Sequence, residues 1–370
     1  MLTITEIWPT QQNSLIRTIK ITFFFICCII FDVTLFDELQ NLLELQDYQA
    51  LAMHLSTFSL YIGFSIKIIL FQFTKIEPMG SMLRSIEDPI FDEYPPALEK
   101  YKTKCVRISN GVALFYFSSV AISILVYLLK PLYTEYTLPI TFSHELSFVT
   151  HYALYFLQSF CCYYLVMIGI SYDLIVIGLI NIATTQLDIL REQITNFKPE
   201  HQSEKLMEDE EYKFFSRCIQ KHEAILKYVG ETEDVFTLIF LAQCLITIFA
   251  FCNGLFQLAH NGELFSIEFY FNCSFTFDVL FEMGVPCWFA TLLTNKSVEV
   301  SDACYNYNWL HSSTKVKKLL LIIQCRGQRP LYITAGKITH LSLQAYLQVL
   351  KSGYSYFALM QTLYQQKNQW

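Results

Sequence analysis

Apolar residues cluster in seven stretches, at 21–36, 50–73, 108–130, 146–180, 235–258, 267–294 and 340–363. With flanking residues, each is long enough for the roughly 20-residue helix that crosses a hydrocarbon core about 30 Å thick. Backbone inside lipid must satisfy its own hydrogen bonds, and a helix does so within one segment. The pattern therefore predicts an all-α membrane protein with seven transmembrane helices. The longest polar piece, 188–234, carries an acidic run from Glu208 to Glu211. After it, Phe215, Cys218, Ile219, His222, Ile225, Leu226 and Val229 recur at helical spacing. This predicts an amphipathic helix running into span 5, with His222 as a packed surface residue rather than a ligand. In 310–330 the run KKLLLII is too short to span and is fenced by basic residues. It reads as another helix beside the membrane, with Gly336 marking the break before span 7.

Span 7 differs from the others. Gln344, Gln348, Ser352, Ser355 and Thr362 recur at steps of three, four or seven, so they share one helix face. Leu359 continues the stripe and Leu363 follows one turn later. A column of amides and hydroxyls faces other helices or water, not lipid. Two readings stay open: hydrogen bonds inside a packed bundle, or a pore wall interrupted by a leucine ring that gates by dewetting.

The basic residues give an expected orientation. Two precede span 1, six lie between spans 2 and 3, seven between spans 4 and 5, and seven between spans 6 and 7, placing 22 of the 26 on one side. The N-terminus is thus expected in the cytoplasm and the C-terminus outside. That arrangement is opposite to a seven-span G-protein-coupled receptor. The outer loops carry Asp37, Glu38, Glu44, Asp47, Glu135, Glu145, Glu263 and Glu268 with almost no basic partner. Such a surface either concentrates cations or simply keeps short loops wet.

Composition sharpens the class. The chain is 53% hydrophobic, 16% aromatic and only 16% charged, outside the usual soluble range. Its net charge of −7 matters less than where the charges sit. Most of the twelve cysteines lie inside apolar runs, so they read as small buried residues rather than disulfide partners. Span 1 follows Arg17 and Lys20 but has no small-residue cleavage site after it, so it reads as an uncleaved span.

Catalytic signatures are absent from the sequence. It has no Gly-rich phosphate loop, no H-E-x-x-H, no C-x-x-C and no nucleophile elbow, and its eight histidines lack metal-ligand spacing. An enzyme, a cofactor, a metal and a nucleic-acid partner are not expected. Asp278 and Glu282, one helical turn apart in span 6, are expected to face the bundle interior, opposite Lys67 of span 2. Asn272 and Asn295 match the glycosylation pattern, but their settings argue against use.

The last 70 residues resemble the C-terminal signature of insect odorant receptors. Ser301-Asp302-Ala303-Cys304-Tyr305-Asn306 with Trp309 is similar to that family's stretch after span 6. Gly327-Gln328-Arg329-Pro330, Thr334-Ala335-Gly336-Lys337 and Tyr354-Ser355-Tyr356-Phe357 follow in family order and spacing. The related gustatory receptors end in a T-Y-x5-Q-F pattern that is missing here. The resemblance implies a subunit of an odorant-gated, non-selective cation channel, tetrameric and assembled with a co-receptor subunit. It would act in the plasma membrane of olfactory sensory neurons. Residues 1–300 would form spans 1 to 6, with a ligand pocket in their outer half and the cytoplasmic helical loop 188–234. Residues 301–370 would form a cytoplasmic anchor helix and the final pore-lining helix. The pore and gate would involve Ser355, Leu359, Thr362 and Leu363. With the inferred orientation, the outer halves of spans 2, 3, 4 and 6 nominate His54, Phe58, Tyr61, Phe117, Ala121, Tyr152, Tyr155, Phe271 and Phe275 for a small volatile ligand. A gustatory-type channel is the alternative. A transporter is less favoured, because the two halves show no internal repeat.

Overall fold

In the computed structural model, residues 48–74, 76–128, 148–200, 203–260 and 266–367 are described, with scattered helical positions between 22 and 43. Span 1 therefore lies largely outside the described residues. Span 2 is the helix Tyr48–Thr74, followed by a short helix Ile76–Ile86. Two 3₁₀ turns, Pro89–Phe91 and Pro96–Leu98, lead into Glu99–Leu128, which carries span 3. Proline suits both turns, since its fixed φ favours a first helical position and its missing N–H costs nothing there.

Three helices are much longer than their membrane spans. Span 4 lies in Phe148–Asn196, span 5 in Glu204–His260 and span 6 in Ile267–Asn306. At a rise of 1.5 Å per residue, the 57 residues of the span 5 helix extend about 85 Å, nearly three times a hydrocarbon core. The sequence places spans 4 and 6 correctly but stops them early, since their amphipathic extensions fall below the hydropathy of a span. The amphipathic helix expected after the acidic run is present, continuous with span 5. Phe215, Cys218, Ile225 and Val229 are buried, and so is His222. That corrects the surface placing of the histidine, because neighbouring helices cover this face.

Four helices among the described residues are long and apolar enough to cross a membrane, those carrying spans 3 to 6. Their outward faces keep large apolar side chains exposed, among them Leu114, Ile122, Phe156 and Leu245, as a lipid-facing surface requires. One buried cluster joins spans 2, 4, 5 and 6 along their length, from Tyr61 and Leu165 to Val300 and Ile323. The described cysteines are all free and mostly buried.

The expected membrane-side helix is Thr314–Gly327, capped by Ser313, whose hydroxyl accepts from the Val316 amide. It buries Val316, Leu320 and Ile323 and leaves Leu321 and Ile322 exposed. A two-stranded antiparallel hairpin then pairs Thr334–Ala335 with Thr339–His340. Gly336 and Lys337 turn it with positive φ of 62° and 58°. The glycine amide donates to the Thr237 carbonyl at 2.7 Å, and a Cβ there would sit 2.6 Å from Leu241. Glycine thus meets both a left-handed backbone and a close approach. The hairpin is held on the span 5 helix by Thr334 to Glu233 (2.5 Å) and Lys337 to Asp234 (3.0 Å). The final helix, Leu343–Lys367, starts where the Ser342 hydroxyl accepts from the Ala345 amide.

Candidate ligand cavity and exposed final helix

Spans 2, 3, 4 and 6 line a half-open cavity of about 90 Å³. Its wall is mainly apolar and aromatic, with Tyr61 and Phe64 from span 2, Tyr116 and Val120 from span 3, and Phe271 and Phe275 from span 6. Span 4 closes it with Cys162, Val166 and Ile170. An apolar cavity of about 150 Å³ stays dry and takes up benzene, so this space is of the order that suits a small organic guest.

Of the nine nominated positions, Tyr61, Phe271 and Phe275 line the cavity. His54 is buried and Phe58 half-buried, both nearer the start of the span 2 helix. Phe117 packs beside the cavity, against the small cluster around Tyr116, Val120 and Ile170. Ala121 is exposed on the far face of span 3. Tyr155 lies against Phe156, about two turns before Cys162. The Tyr152 side chain lies outside the described residues.

The cavity has a polar end. Asp278 accepts from Ser119 at 2.5 Å and from Ser123 at 2.6 Å, and Ser123 also meets Ser274 at 2.5 Å. One turn on, Glu282 reaches the Lys67 ammonium at 2.5 Å. Lys67 also donates to Asp173 at 2.9 Å and is only 1% exposed. The sequence foresaw Glu282 facing Lys67. It did not foresee Asp173, which lies 106 residues from that lysine. Glu282 borders both this cavity and a smaller one behind it, formed with Tyr172, Phe236, Gln243 and Pro286.

The final helix packs on spans 5 and 6 along one face. Gly353 lets it approach so closely that a Cβ would meet Phe251 at 2.7 Å and the Ile248 carbonyl at 3.3 Å. Tyr346 donates to the Leu280 carbonyl, and Tyr364 stacks edge-on against His260. The opposite face carries the polar stripe. Gln344, Gln348, Ser355 and Thr362 are exposed, as are Leu359 at 57% and Leu363 at 58%. Ser352 is half-buried. The hydroxyls of Ser355 and Thr362 donate to carbonyls of their own helix at 2.9 Å, not to a neighbouring one. Among the described residues, then, nothing covers this face.

Beyond the apolar stretches, ion pairs knit the helical extensions. Arg191 meets Glu299 at 2.5 Å and Glu192 at 2.8 Å, and Lys296 joins Glu299 and Asp188. Glu93 pairs with Arg217, whose guanidinium holds its carboxyl below the usual range. Burial, with Arg326 adding repulsion, pushes His222 down to about 4.

The model of the seven-transmembrane odorant receptor family matches residues 47–354, most of the chain. The chain belongs to the odorant receptor family. The receptor is 29% identical to odorant receptor Or2 of Anopheles gambiae over 147 residues, 40% of this chain and 38% of that one. It is 24% identical to odorant receptor 85c of Drosophila melanogaster over 284 residues, 72% of this chain and 70% of that one. The stretches matched in the first curated relatives span only about half their length or less. In three dimensions the receptor superposes on olfactory receptor OR5 from Machilis hrabei in complex with eugenol, with a TM-score of 0.83. That match covers 98% of this chain and 96% of the other at 14% identity, so it speaks to the fold. These relatives are receptors rather than enzymes, and the helices make the chain a multi-pass membrane protein.

Proposed function

We propose that this receptor is the odorant-sensing subunit of a ligand-gated, non-selective cation channel. It acts with a co-receptor subunit in a heterotetramer, in the plasma membrane of olfactory sensory neurons. The observation that carries this reading is the largely apolar cavity between spans 2, 3, 4 and 6. A small volatile molecule offers few polar handles, so its affinity comes mainly from apolar burial, at about 25 cal/mol per Å². The Machilis hrabei receptor of the same fold, in complex with eugenol, supports this.

The pore is assigned to residues 301–370, the helix Thr314–Gly327 serving as anchor and the final helix as wall. Its exposed stripe supports the assignment, since amides and hydroxyls open on one side of a membrane protein call for water or partner helices. Leu359 and Leu363 break that stripe with apolar rings suited to dewetting. The basic asymmetry supports an N-terminus inside and a C-terminus outside.

The test is expression with and without a co-receptor subunit, recording current against a panel of volatiles. The reading expects volatile-evoked cation current from the pair. Surface-expressed pairs silent to every volatile, with the co-receptor shown to be functional, contradict it.

A further inference from the structure

Cavities meant for apolar odorants need no charge, yet this one ends in carboxylates. Asp278 and Glu282 both line it, and Asp173 sits behind Glu282 across Lys67. Two carboxylates, Asp173 and Glu282, thus share the Lys67 ammonium, while Asp278 stands one helical turn from Glu282. Ser119 and Ser123 donate hydrogen bonds to Asp278. These stabilise its negative charge but bring no positive one. Among the described residues, no other basic side chain lines either cavity. Uncompensated charge within a bilayer is costly, and such residues are normally paired. Asp278 therefore has hydroxyl partners and no cationic one among the described residues, at the end where an odorant's polar group would lie.

We infer that the receptor is tuned to small protonated amines, the ammonium seated at Asp278 and Glu282 and the hydrocarbon body among Tyr61, Tyr116, Phe271 and Phe275. The inference rests on the receptor reading above and names its ligand class. The shape of the cavity agrees with it, apolar along its length and acidic at one end. An ammonium placed there donates charge-assisted hydrogen bonds, about twice as strong as those of a neutral hydroxyl. A carboxylate ligand would meet like charge. A neutral alcohol would fit without supplying the missing charge.

The test uses a matched series, isopentylamine, isopentanol and isopentanoic acid, on the receptor expressed with a co-receptor subunit. The amine is expected to activate at a concentration about tenfold or more below the alcohol, with the acid silent. Asp278→Asn is expected to bring the amine-to-alcohol potency ratio toward one, whatever it does to the absolute potency of either. Glu282→Gln provides a second reading should Asp278→Asn fail to reach the surface. An amine no more potent than the alcohol in the wild-type receptor overturns the inference, and so does a ratio unmoved by both variants. Silence to all three in a receptor that answers other volatiles also overturns it, leaving the receptor reading intact. Silence to every volatile counts instead against the receptor reading.

Discussion

Replacing Lys67 by methionine keeps most of the side chain's length while removing the ammonium between Asp173 and Glu282. The lysine is 1% exposed, with carboxylate oxygens at 2.9 and 2.5 Å. Breaking a buried ion pair from one side costs about 3–5 kcal/mol, because the remaining charge is left buried and unpaired. Here two carboxylates lose their partner at once, which places Lys67→Met at the upper end of that range. Marginal stabilities are only about 5–15 kcal/mol, so the single variant should lose most of its surface protein. The triple variant Lys67→Met, Asp173→Asn, Glu282→Gln removes all three charges and should recover a large part of it, since neutral replacements of buried ion pairs are often tolerated. Surface biotinylation and the thermal midpoint of detergent-solubilised receptor read both effects. Groups in one network should show coupling of about 0.5–3 kcal/mol. A Lys67→Met receptor with wild-type surface level and midpoint would refute the reasoning. So would a triple variant as damaged as its single changes combined.

The sequence showed the network only in part, and the reason is geometric. Asp278 and Glu282 are four residues apart on one helix, so their shared face is visible in the chain order. Asp173 reaches Lys67 from a different helix, and no local pattern links the two. The wall of span 3 illustrates a second limit. That helix has bulky apolar residues on most sides, so its inward face is weakly marked, and one residue step turns the helix by about 100°. The nominated Phe117 and Ala121 thus stand beside Tyr116 and Val120, which line the cavity. Aromatic character nominated Tyr155, but the cavity lies deeper along span 4, at Cys162, Val166 and Ile170. The stripe on span 7 was readable because it breaks an apolar background at a regular period. The hairpin at 334–340 was not, since two-residue strands carry no alternation.

Other outcomes follow from the same structure. A tag at the N-terminus should be reachable only after permeabilisation and a tag after Trp370 on intact cells, and an extracellular N-terminus would overturn the orientation. Tyr61→Ala should shift odorant dose–response curves about tenfold or more, as expected for lost aromatic burial, while Ala121→Ser on the exposed side of span 3 leaves them in place. Gly353→Val should displace the final helix from Phe251 and the Ile248 carbonyl, at about 1–3 kcal/mol, read as a lower thermal midpoint. His222, outside span 5, is held neutral by burial with its pKa lowered to about 4. Its contribution is complete above about 6.5, the ordinary histidine value, and is lost as pH falls from there toward 4. His222→Gln should therefore flatten the fall in midpoint between pH 6.5 and 5 relative to wild type, and identical pH profiles would contradict this.

The pore assignment is tested most directly at Leu359, where an exposed apolar side chain interrupts the polar stripe. The measurement is resting current and ion selectivity of Leu359→Ser, expressed at fixed subunit ratio with a co-receptor subunit and normalised to surface protein. A polar ring should keep water in the closed pore. The account therefore predicts leak current without odorant or altered selectivity, with a smaller effect from Ala358→Ser, about 100° around the helix. Permeation indifferent to serine at Leu359 and Leu363 and to valine at Thr362, in receptors that reach the surface, would contradict it.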